Sequence, residues 1–307
     1  MKRLALLAAL VAGAAGRAVP QDGTSLPAQL RARIARAPAQ AVGLYYRSLA
    51  RPDSVLIGAN LRFHAASTMK VPVMIQIFRD ADAGLLTQDD SLVVHATFPS
   101  LVDGSPFDVD RADDSDSTLY LRLGGKASVR ELLELMITRS SNLATDILIE
   151  RVRAPRAQAS ARALGAWSIQ VLRGVEDGKA YRAGLNNTTT ARDLGALLAA
   201  IAQQRAATSA ACDAMLAILE RQEFNEGIPL GVPPGTRIAH KTGWIGEVVY
   251  HDAAIVYPSD AGSYVLVVLT GGLKEDSVAH NLVADVSRMV FEAGAASRGR
   301  ADPRPRH

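Results

Sequence analysis

Apolar residues recur along the chain at two spacings, one typical of buried helices and the other of strands. The strongest helical spacing lies in residues 67–83, where Val71, Met74 and Phe78 fall on one face and Gly84 follows the last turn. Residues three or four positions apart share a helix face, and glycine commonly follows the last residue of a helix. These residues are therefore predicted to form a largely buried helix.

Shorter patterns predict the remaining elements. Helical spacing predicts helices at 27–37, 129–136, 143–150, 188–201 and 277–293. Thr189 or Thr190 would cap the fourth of these. Runs of β-branched and aromatic residues predict strands at 41–46, 54–57, 243–250, 253–257 and 264–269. Strands near both ends of the chain and helices between them predict an α+β fold, with one sheet and an inserted helical portion.

The first residues have the layout of an export signal. Met1, Lys2 and Arg3 form a short cationic start, and residues 4–15 are an apolar run rich in alanine and leucine. The run is too short to cross a bilayer as a stable helix. An anchoring or buried helix is the alternative. We expect residues 1–20 to be a signal peptide and the mature protein to be periplasmic or secreted, without membrane attachment.

Composition narrows the class of function. The 307 residues are 48% hydrophobic and 21% charged, an ordinary globular mix. Cys212 is the only cysteine, which excludes an internal disulfide, and its apolar neighbours predict a core position. The net charge is +3, aromatic residues make up 5%, and no basic stripe occurs, so nucleic acid is not an expected partner. We expect a monomer.

The segment 103–116 is rich in aspartate and is predicted to be a loop or insertion. Its spacing does not match a calcium loop, because no glycine follows Asp108 and Asp110 at the required place and no glutamate closes the segment. The histidines also lie at no metal-ligand spacing. We expect a solvated acidic loop, and no metal or other cofactor.

Ser67 and Lys70 are the first pair of residues that could perform chemistry. They lie three positions apart at the start of the predicted helix, so both side chains project from one face. A serine hydroxyl needs a base to become a good nucleophile, and a lysine can serve when burial lowers its pKa. A simple helix cap is the alternative for Ser67.

Two further motifs follow at long range. Ser140, Ser141 and Asn142 lie at a junction between predicted helices, and Lys241, Thr242 and Gly243 open a predicted strand. In this order the three motifs match the serine-x-x-lysine, serine-x-asparagine and lysine-threonine-glycine set. Over residues 40–293 the chain thus resembles the class A β-lactamases and penicillin-binding proteins.

The resemblance implies a five-stranded antiparallel sheet flanked by helices, with an inserted all-helical lobe. In residue numbers, it implies one hydrolase domain at 21–307, whose α/β part comprises about 25–75 and 203–295 and whose helical lobe comprises about 76–202. The implied ligand is a small β-lactam or a peptidoglycan-like peptide.

The resemblance also assigns roles to individual residues. Ser67 would be acylated, Lys70 would shuttle its proton, and Ser140 would protonate the leaving amine. Asn142 would hold the substrate's side-chain amide, while Lys241 and Thr242 would bind its carboxylate. Gly243 would let the substrate approach the strand, and the N–H of Trp244 would join that of Ser67 as an oxyanion hole.

The chain departs from the class A pattern in the part that removes the acyl group. The resemblance places Glu176 as the base that activates the deacylating water, but Ala180 occupies the position where the lactamases carry an asparagine. Asn186 or Asn187 could replace it if the loop folds differently. Ser141 also stands where the lactamases commonly carry aspartate, as in the looser motif of penicillin-binding proteins.

Three functions are consistent with these residues. The first is a serine hydrolase that opens β-lactam rings. The second is a penicillin-binding-protein-like D,D-peptidase or esterase that releases its acyl group slowly. The third is a sensor that binds β-lactams or peptidoglycan without catalysis, which ranks last because no signalling segment is evident in the sequence.

Overall fold

The computed structural model describes residues 25–259 and 262–299, with side chains as far as residue 295. The predicted signal peptide at 1–20 lies outside these residues. Within the described part of the chain, no helix has the length and apolar character needed to cross a membrane. The helices are α1 Leu26–Ala35, α2 Lys70–Asp82, α3 Val129–Thr138, α4 Asn142–Val152, α5 Ala154–Ala163, α6 Gly178–Arg182, α7 Ala191–Ala202, α8 Ser209–Leu219 and α9 Asp276–Gly299.

The five longest strands of the described residues form one sheet. The strands are β1 Ala41–Ser48, β2 Ser54–Ile57, β3 Phe63–His64, β4 Ser91–Val93, β5 Thr97–Pro99, β6 Pro106–Asp108, β7 Lys126–Ser128, β8 Thr188–Thr189, β9 Arg237–Ile245, β10 Val249–Tyr257 and β11 Tyr264–Gly271. The main sheet has the order β2-β1-β11-β10-β9, and every neighbouring pair is antiparallel. The predicted α+β fold with a five-stranded antiparallel sheet is confirmed.

Helices cover both faces of the sheet, which explains why β1, β10 and β11 are almost continuously buried. Successive side chains of a strand point to opposite faces. Leu44 and Tyr46 therefore pack with α1 and α9, whereas Tyr45 between them packs with the helices of the other face. On β11, Leu266 packs on the same face as α1 and α9, and Val267 packs on the other face.

The helix α2 passes through the larger core and is buried almost all round. Met74 and Ile75 are completely buried, and the polar residues Gln76 and Asp80 are also buried, with a hydrogen bond between their side chains. The predicted helix is confirmed, except that its first turn is a 3-10 helix over Ala66–Met69. Gly84 follows α2 with φ of 69°, a left-handed conformation that glycine adopts at low cost.

One predicted strand was wrong. The sequence pattern placed a strand at 243–250, but β9 ends at Ile245 and β10 begins at Val249, with Gly246 at φ of 36° in the turn between them. Asp252 lies between the strands predicted at 243–250 and 253–257. It is instead completely buried within β10, because its carboxylate accepts hydrogen bonds from the backbone N–H of Ile228 and from His240.

Two other differences concern helices. The helices α5 and α8 were not predicted because both are rich in alanine, which marks no clear apolar face. The helix predicted at 188–201 starts later, since Thr188 and Thr189 pair with β3. Thr190 caps α7 by accepting a hydrogen bond from the N–H of Asp193, as predicted. Cys212 is buried in α8, which confirms its core position.

The contact between α7 and β1 depends on Gly195. A β-carbon at this position would lie 2.4 Å from Cδ1 of the buried Tyr45 ring. We expect Gly195→Ala to lower the free energy of unfolding by about 1–3 kcal/mol, because overpacking outweighs the better helix propensity of alanine. Urea unfolding followed by circular dichroism measures this change.

The matched control is Gly294→Ala in α9, where a β-carbon would meet no atom within 4 Å. This variant should be more stable by about 0.5–1 kcal/mol. Equal effects of the two substitutions would show that α7 does not pack against Tyr45 as described.

Candidate active site

Ser67 lies where two surface cavities meet. Its 3-10 helix lies directly against β9. The first cavity, of about 320 Å³, is here named the Glu176 cavity, and its lining includes Asn142, Glu176 and Tyr181. Ser67 and Trp244 line both cavities. The second, of about 310 Å³, is named the Tyr250 cavity, and its lining includes Ser140, Phe224, Glu226, Thr242, Gly243, Tyr250, Asp276 and His280.

Lys70 is completely buried beneath this junction. Its Nζ donates to the carbonyl oxygen of Ser140 at 2.5 Å, to Oγ of Ser140 at 3.2 Å and to Oδ1 of Asn142 at 3.0 Å. Burial lowers the pKa of Lys70 to about 8, although the carboxylates of Asp114, Asp146 and Glu176 oppose the shift. An amine with such a pKa can exchange a proton near neutral pH.

The second motif forms a sharp turn between α3 and α4. Ser140 has φ of 59°, an uncommon conformation for a residue with a side chain. Ser141 caps α4 by accepting a hydrogen bond from the N–H of Ala144 at 3.2 Å. This turn directs the carbonyl and hydroxyl of Ser140 and the amide of Asn142 towards Lys70.

Lys241 approaches Ser140 from the opposite side. It is completely buried in β9, and its Nζ donates to Oγ of Ser140 at 3.1 Å and to the carbonyl oxygen of Thr242 at 3.1 Å. Burial first, and then the charge of Lys70, hold the pKa of Lys241 well below its usual value. Two buried amines thus share one serine hydroxyl. The lysine-threonine-glycine motif lies inside β9, so the prediction that it opens a strand was wrong.

Gly243 brings the edge strand directly against the backbone of Ser67. A β-carbon at Gly243 would lie 3.1 Å from Cγ2 of Thr68 and 3.2 Å from the backbone N of Ser67. Only glycine permits this approach without displacing its neighbours. The indole of the following residue, Trp244, is 55% exposed, and its Nε1–H donates to Oδ1 of Asp276 at 2.7 Å.

Glu176 extends from the loop before α6 into the cleft. It has φ of 60° and is half-buried, and one carboxylate oxygen accepts a hydrogen bond from Nδ2 of Asn142. The other oxygen accepts from the N–H of Asp110 at 3.3 Å. Burial raises the pKa of Glu176. Asn142 therefore connects Lys70 on one side with Glu176 on the other.

The residues on either side of Glu176 are fixed by buried carboxylates. The N–H of Val175 donates to Oδ1 of Asp146 at 2.7 Å, and Asp177 accepts from the N–H of Ala180 at 3.0 Å and from Ser100. Burial holds the pKa of Asp146 well above its usual range. These contacts hold the left-handed backbone of Glu176, a conformation that costs about 1–3 kcal/mol.

Neither asparagine at the end of the loop reaches Glu176. Asn187 accepts hydrogen bonds from the N–H groups of Leu172 and Arg173 and donates to the carbonyl of Arg173. Oδ1 of Asn186 accepts from the guanidinium of Arg173. Both side chains therefore connect the two ends of the loop that carries Glu176. Ala180, at the position where the lactamases carry an asparagine, is buried.

Two functional positions were missed from the sequence. Asp114, in the acidic segment, accepts hydrogen bonds from the N–H groups of Asn142 and Leu143 at 2.9 Å and 2.8 Å, and also from Oγ of Ser141. It therefore fixes the second motif. Asp146 lies one helical turn after Asn142, a spacing that could have indicated it. No comparable signal pointed to Asp114, because it acts across a loop.

The histidines near the third motif are structural. His240 is buried against Asp252 at 3.0 Å, and His251 is completely buried with Nε2 at 2.9 Å from the carbonyl oxygen of His64. Burial lowers the pKa of His251 to about 4. In the part of the chain that the structure describes, no group of His, Cys, Asp and Glu side chains could hold a metal ion.

This arrangement can support nucleophilic catalysis. Ser67 is accessible from both cavities, two buried amines lie at Ser140, and a half-buried carboxylate faces the same cleft from a separate loop. Such a set contains a nucleophile, candidates for proton transfer, and a candidate base for activating water.

Comparison with known proteins agrees with this geometry. A model of the beta-lactamase enzyme family matches residues 25–293. The beta-lactamase of Streptomyces fradiae is 27% identical over 305 residues, covering 94% of this chain and 92% of that protein. The structure of a beta-lactamase from Sphaerobacter thermophilus DSM 20745 is 27% identical, with a TM-score of 0.75, and covers 88% of this chain and 97% of that one.

A penicillin-binding protein is equally similar. PBP-A is 29% identical with a TM-score of 0.76, covering 88% of this chain and 96% of that one. A variant of PBP-A, 30% identical to this chain with a TM-score of 0.75, has been solved as an acyl-enzyme complex with penicillin G.

The bonds of Asp114 generate a prediction about the second motif. We expect Asp114→Ala to lower the free energy of unfolding by about 1–3 kcal/mol, because it leaves the N–H groups of Asn142 and Leu143 without their acceptor. Chemical denaturation measures the change. The control is Asp113→Ala, an exposed neighbour whose side chain makes no hydrogen bond within the described residues, with an expected effect within about 0.5 kcal/mol. Similar losses in both variants would contradict the capping role of Asp114.

Proposed function

The chain belongs to the beta-lactamase enzyme family and is a serine hydrolase, and we propose that it hydrolyses the amide of β-lactam rings through an ester on Ser67. The observation that carries this proposal is the meeting of Lys70 and Lys241 at Oγ of Ser140, in the wall of the cavity that Ser67 also lines. Three distant segments of the chain supply these four side chains.

Acylation begins with proton transfer. In its neutral form Lys70 accepts the proton of the Ser67 hydroxyl, whose oxygen attacks the carbonyl carbon of the lactam. When the tetrahedral intermediate collapses, the carbon–nitrogen bond breaks and Ser140 donates its proton to the leaving nitrogen. Lys70 lies 3.2 Å from Oγ of Ser140 and can return the proton it accepted. The site thereby recovers its starting charge.

The developing oxyanion would be stabilised by two backbone N–H groups, those of Ser67 and Trp244. The close contact of Gly243 with the backbone N of Ser67 supports this, because it brings the two segments together. Preorganised backbone donors need no rearrangement when charge develops on the substrate oxygen.

The two cavities would hold opposite halves of the substrate. The carboxylate on the leaving half binds Thr242 at the Tyr250 cavity, which Ser140 also lines, and Lys241 lies directly behind these two residues. The acyl half extends into the Glu176 cavity, where Asn142 binds its side-chain amide. Ser67 at the junction attacks the bond between the halves.

Deacylation would use Glu176 as the base. Its raised pKa makes it a stronger base than an exposed carboxylate, and it lies in the cavity assigned to the acyl half. A water deprotonated by Glu176 attacks the ester carbonyl, the bond between the acyl carbon and Oγ of Ser67 breaks, and the proton held by Glu176 returns to the serine oxygen. The hydrogen bond from Asn142 keeps the carboxylate directed into the cleft.

The second candidate is a D,D-peptidase or esterase of the penicillin-binding type, in which the acyl group leaves slowly. Ala180 favours it, because a buried methyl group cannot help to position the water. The similarity to PBP-A points the same way. Either enzyme would work outside the cytoplasm, a location that rests on the signal-like pattern of residues 1–15.

Intact-protein mass spectrometry with penicillin G separates the two candidates. We expect a transient adduct on the unmodified protein, no adduct on Ser67→Ala, and a persistent adduct on Glu176→Gln. Loss of the base should slow release about 10²–10⁴-fold while acylation continues. The matched control is Glu134→Gln in α3, whose carboxylate pairs with Arg221 away from the cleft.

A persistent adduct on the unmodified protein would favour the peptidase-like enzyme. An adduct on Ser67→Ala would remove Ser67 as the nucleophile. Unchanged release in Glu176→Gln would remove Glu176 from deacylation, and nitrocefin hydrolysis reports turnover in the same samples.

The pKa of Lys70, lowered to about 8, predicts how acylation depends on pH. Only the neutral amine can accept the proton of Ser67, so the acylation rate should rise about tenfold per pH unit below this pKa and level off above it. Stopped-flow acylation of Glu176→Gln by nitrocefin between about pH 6 and pH 10 measures the profile without interference from deacylation. Lys70→Met should be slow throughout, and a flat profile with Lys70 present would exclude it as the base.

A further inference from the structure

We propose that the Tyr250 cavity selects substrates whose leaving half carries an organic cation in addition to the carboxylate. This inference rests on the proposed function, which places the leaving half in that cavity. It adds a charge preference that the catalytic residues do not determine.

The outer part of this cavity carries two carboxylates. Glu226 lies in the loop before a 3-10 helix at Ile228–Gly231, and Asp276 is the first residue of α9. Both are exposed, so a ligand can reach them. Asp276 is held in place by the hydrogen bond from Nε1 of Trp244.

Aromatic rings lie beside these carboxylates. Trp244 is 55% exposed and Phe224 is 36% exposed, and Tyr250 forms the inner wall against His280, with ring centroids 4.6 Å apart. Aromatic faces attract cations, and the attraction is strongest for tryptophan. Carboxylates next to aromatic faces form a binding site suited to a quaternary ammonium or pyridinium group.

Among the described residues that line the cavity, none is a lysine or an arginine, and the basic side chain present is that of His280. Lys241 lies behind it, completely buried, with its Nζ directed to Ser140 and Thr242. The substrate carboxylate and the cation would therefore bind at different depths, the carboxylate near Thr242 and the cation towards the mouth.

The pKa of the Tyr250 hydroxyl is consistent with a negative electrostatic potential at the cavity wall. It is buried, and among the described residues it has no hydrogen-bond partner. Burial, and after it the carboxylates of Asp252, Glu226 and Asp276, raise the pKa of this hydroxyl. Both cavity carboxylates thus act electrostatically on the same wall, and a bound cation would experience their combined field.

Two cephalosporins with the same thienylacetamido acyl group test the proposal. Cephaloridine carries a pyridinium group on its leaving half, whereas cephalothin carries a neutral acetoxy group. The measured quantity is the ratio of their kcat/KM values. Comparing this ratio between variants cancels the difference in their intrinsic reactivity.

The double variant Glu226→Gln/Asp276→Asn removes both charges and preserves side-chain shape. The asparagine oxygen can still accept the hydrogen bond from Trp244. We expect the ratio to fall about fivefold, in line with two partly exposed charge contacts. The matched control is Glu292→Gln, an exposed glutamate on the same helix but ~24 Å further along it, which should leave the ratio unchanged.

Salt gives a second, independent measurement. Raising ionic strength from about 0.01 M to about 1 M shortens the screening length from about 30 Å to about 3 Å. The ratio should fall with salt in the unmodified protein and remain constant in the double variant. A ratio that neither the double variant nor salt alters would overturn the cation preference.

The failure of the proposed function would look different. If neither cephalosporin modified Ser67 in mass spectra, the acyl-enzyme proposal itself would be wrong, and the cation preference would be withdrawn with it. Normal acylation by both compounds with an unaltered ratio would overturn only the charge preference.

Discussion

The site depends on two buried lysine side chains that share the hydroxyl of Ser140. Removing an ammonium group from water is costly, and placing a second one nearby adds repulsion. The structure offsets this cost at Lys70 with a carbonyl, a hydroxyl and an amide oxygen, together with three carboxylates at longer range. The pKa values of both lysines remain lowered. The free energy of folding thus compensates for the burial of two amines with lowered pKa values. Amines that release protons readily are what the proposed proton transfers require.

This interaction explains why the site draws on distant parts of the fold. Lys70 begins α2, Ser140 occupies a left-handed turn before α4, and Lys241 lies on the edge strand β9. The core fixes α2, while Asp114 fixes the turn and Gly243 allows β9 to approach. Glu176, the residue proposed for deacylation, belongs to a separate loop, which Asp146 and Asp177 hold. In the proposed mechanism, acylation and release can therefore be altered independently.

Local patterns were sufficient for α2 and for β1, β2 and β11, because helical spacing and apolar runs record burial directly, whereas the three motifs were recognised by their match to a known set. The boundary between β9 and β10 was misplaced. Asp252 inside β10 is polar yet buried, and its partners His240 and Ile228 come from other segments. Asp114 was missed for the same reason, since its partners lie 28 and 29 residues away. Interactions between loops produce no periodic pattern in the sequence from which they could be predicted. The residues that could be predicted either follow the pattern of their own helix or strand or belong to a recognised motif, as Ser140 does, or match the family resemblance, as Glu176 does.

Ser67 stands at the boundary between two cavities of different character, and this has a consequence for specificity. The Glu176 cavity contains the groups proposed for deacylation, so changes in its lining also affect turnover. In the Tyr250 cavity, by contrast, Glu226 and Asp276 are exposed, and the proposed proton transfers do not use them. Their charges can therefore change without disturbing the amines at Ser140. Substitutions of Glu226 and Asp276 can therefore change the preference for the leaving half of the substrate alone. Substitutions in the Glu176 cavity would change both the preference for the acyl half and the rate of deacylation.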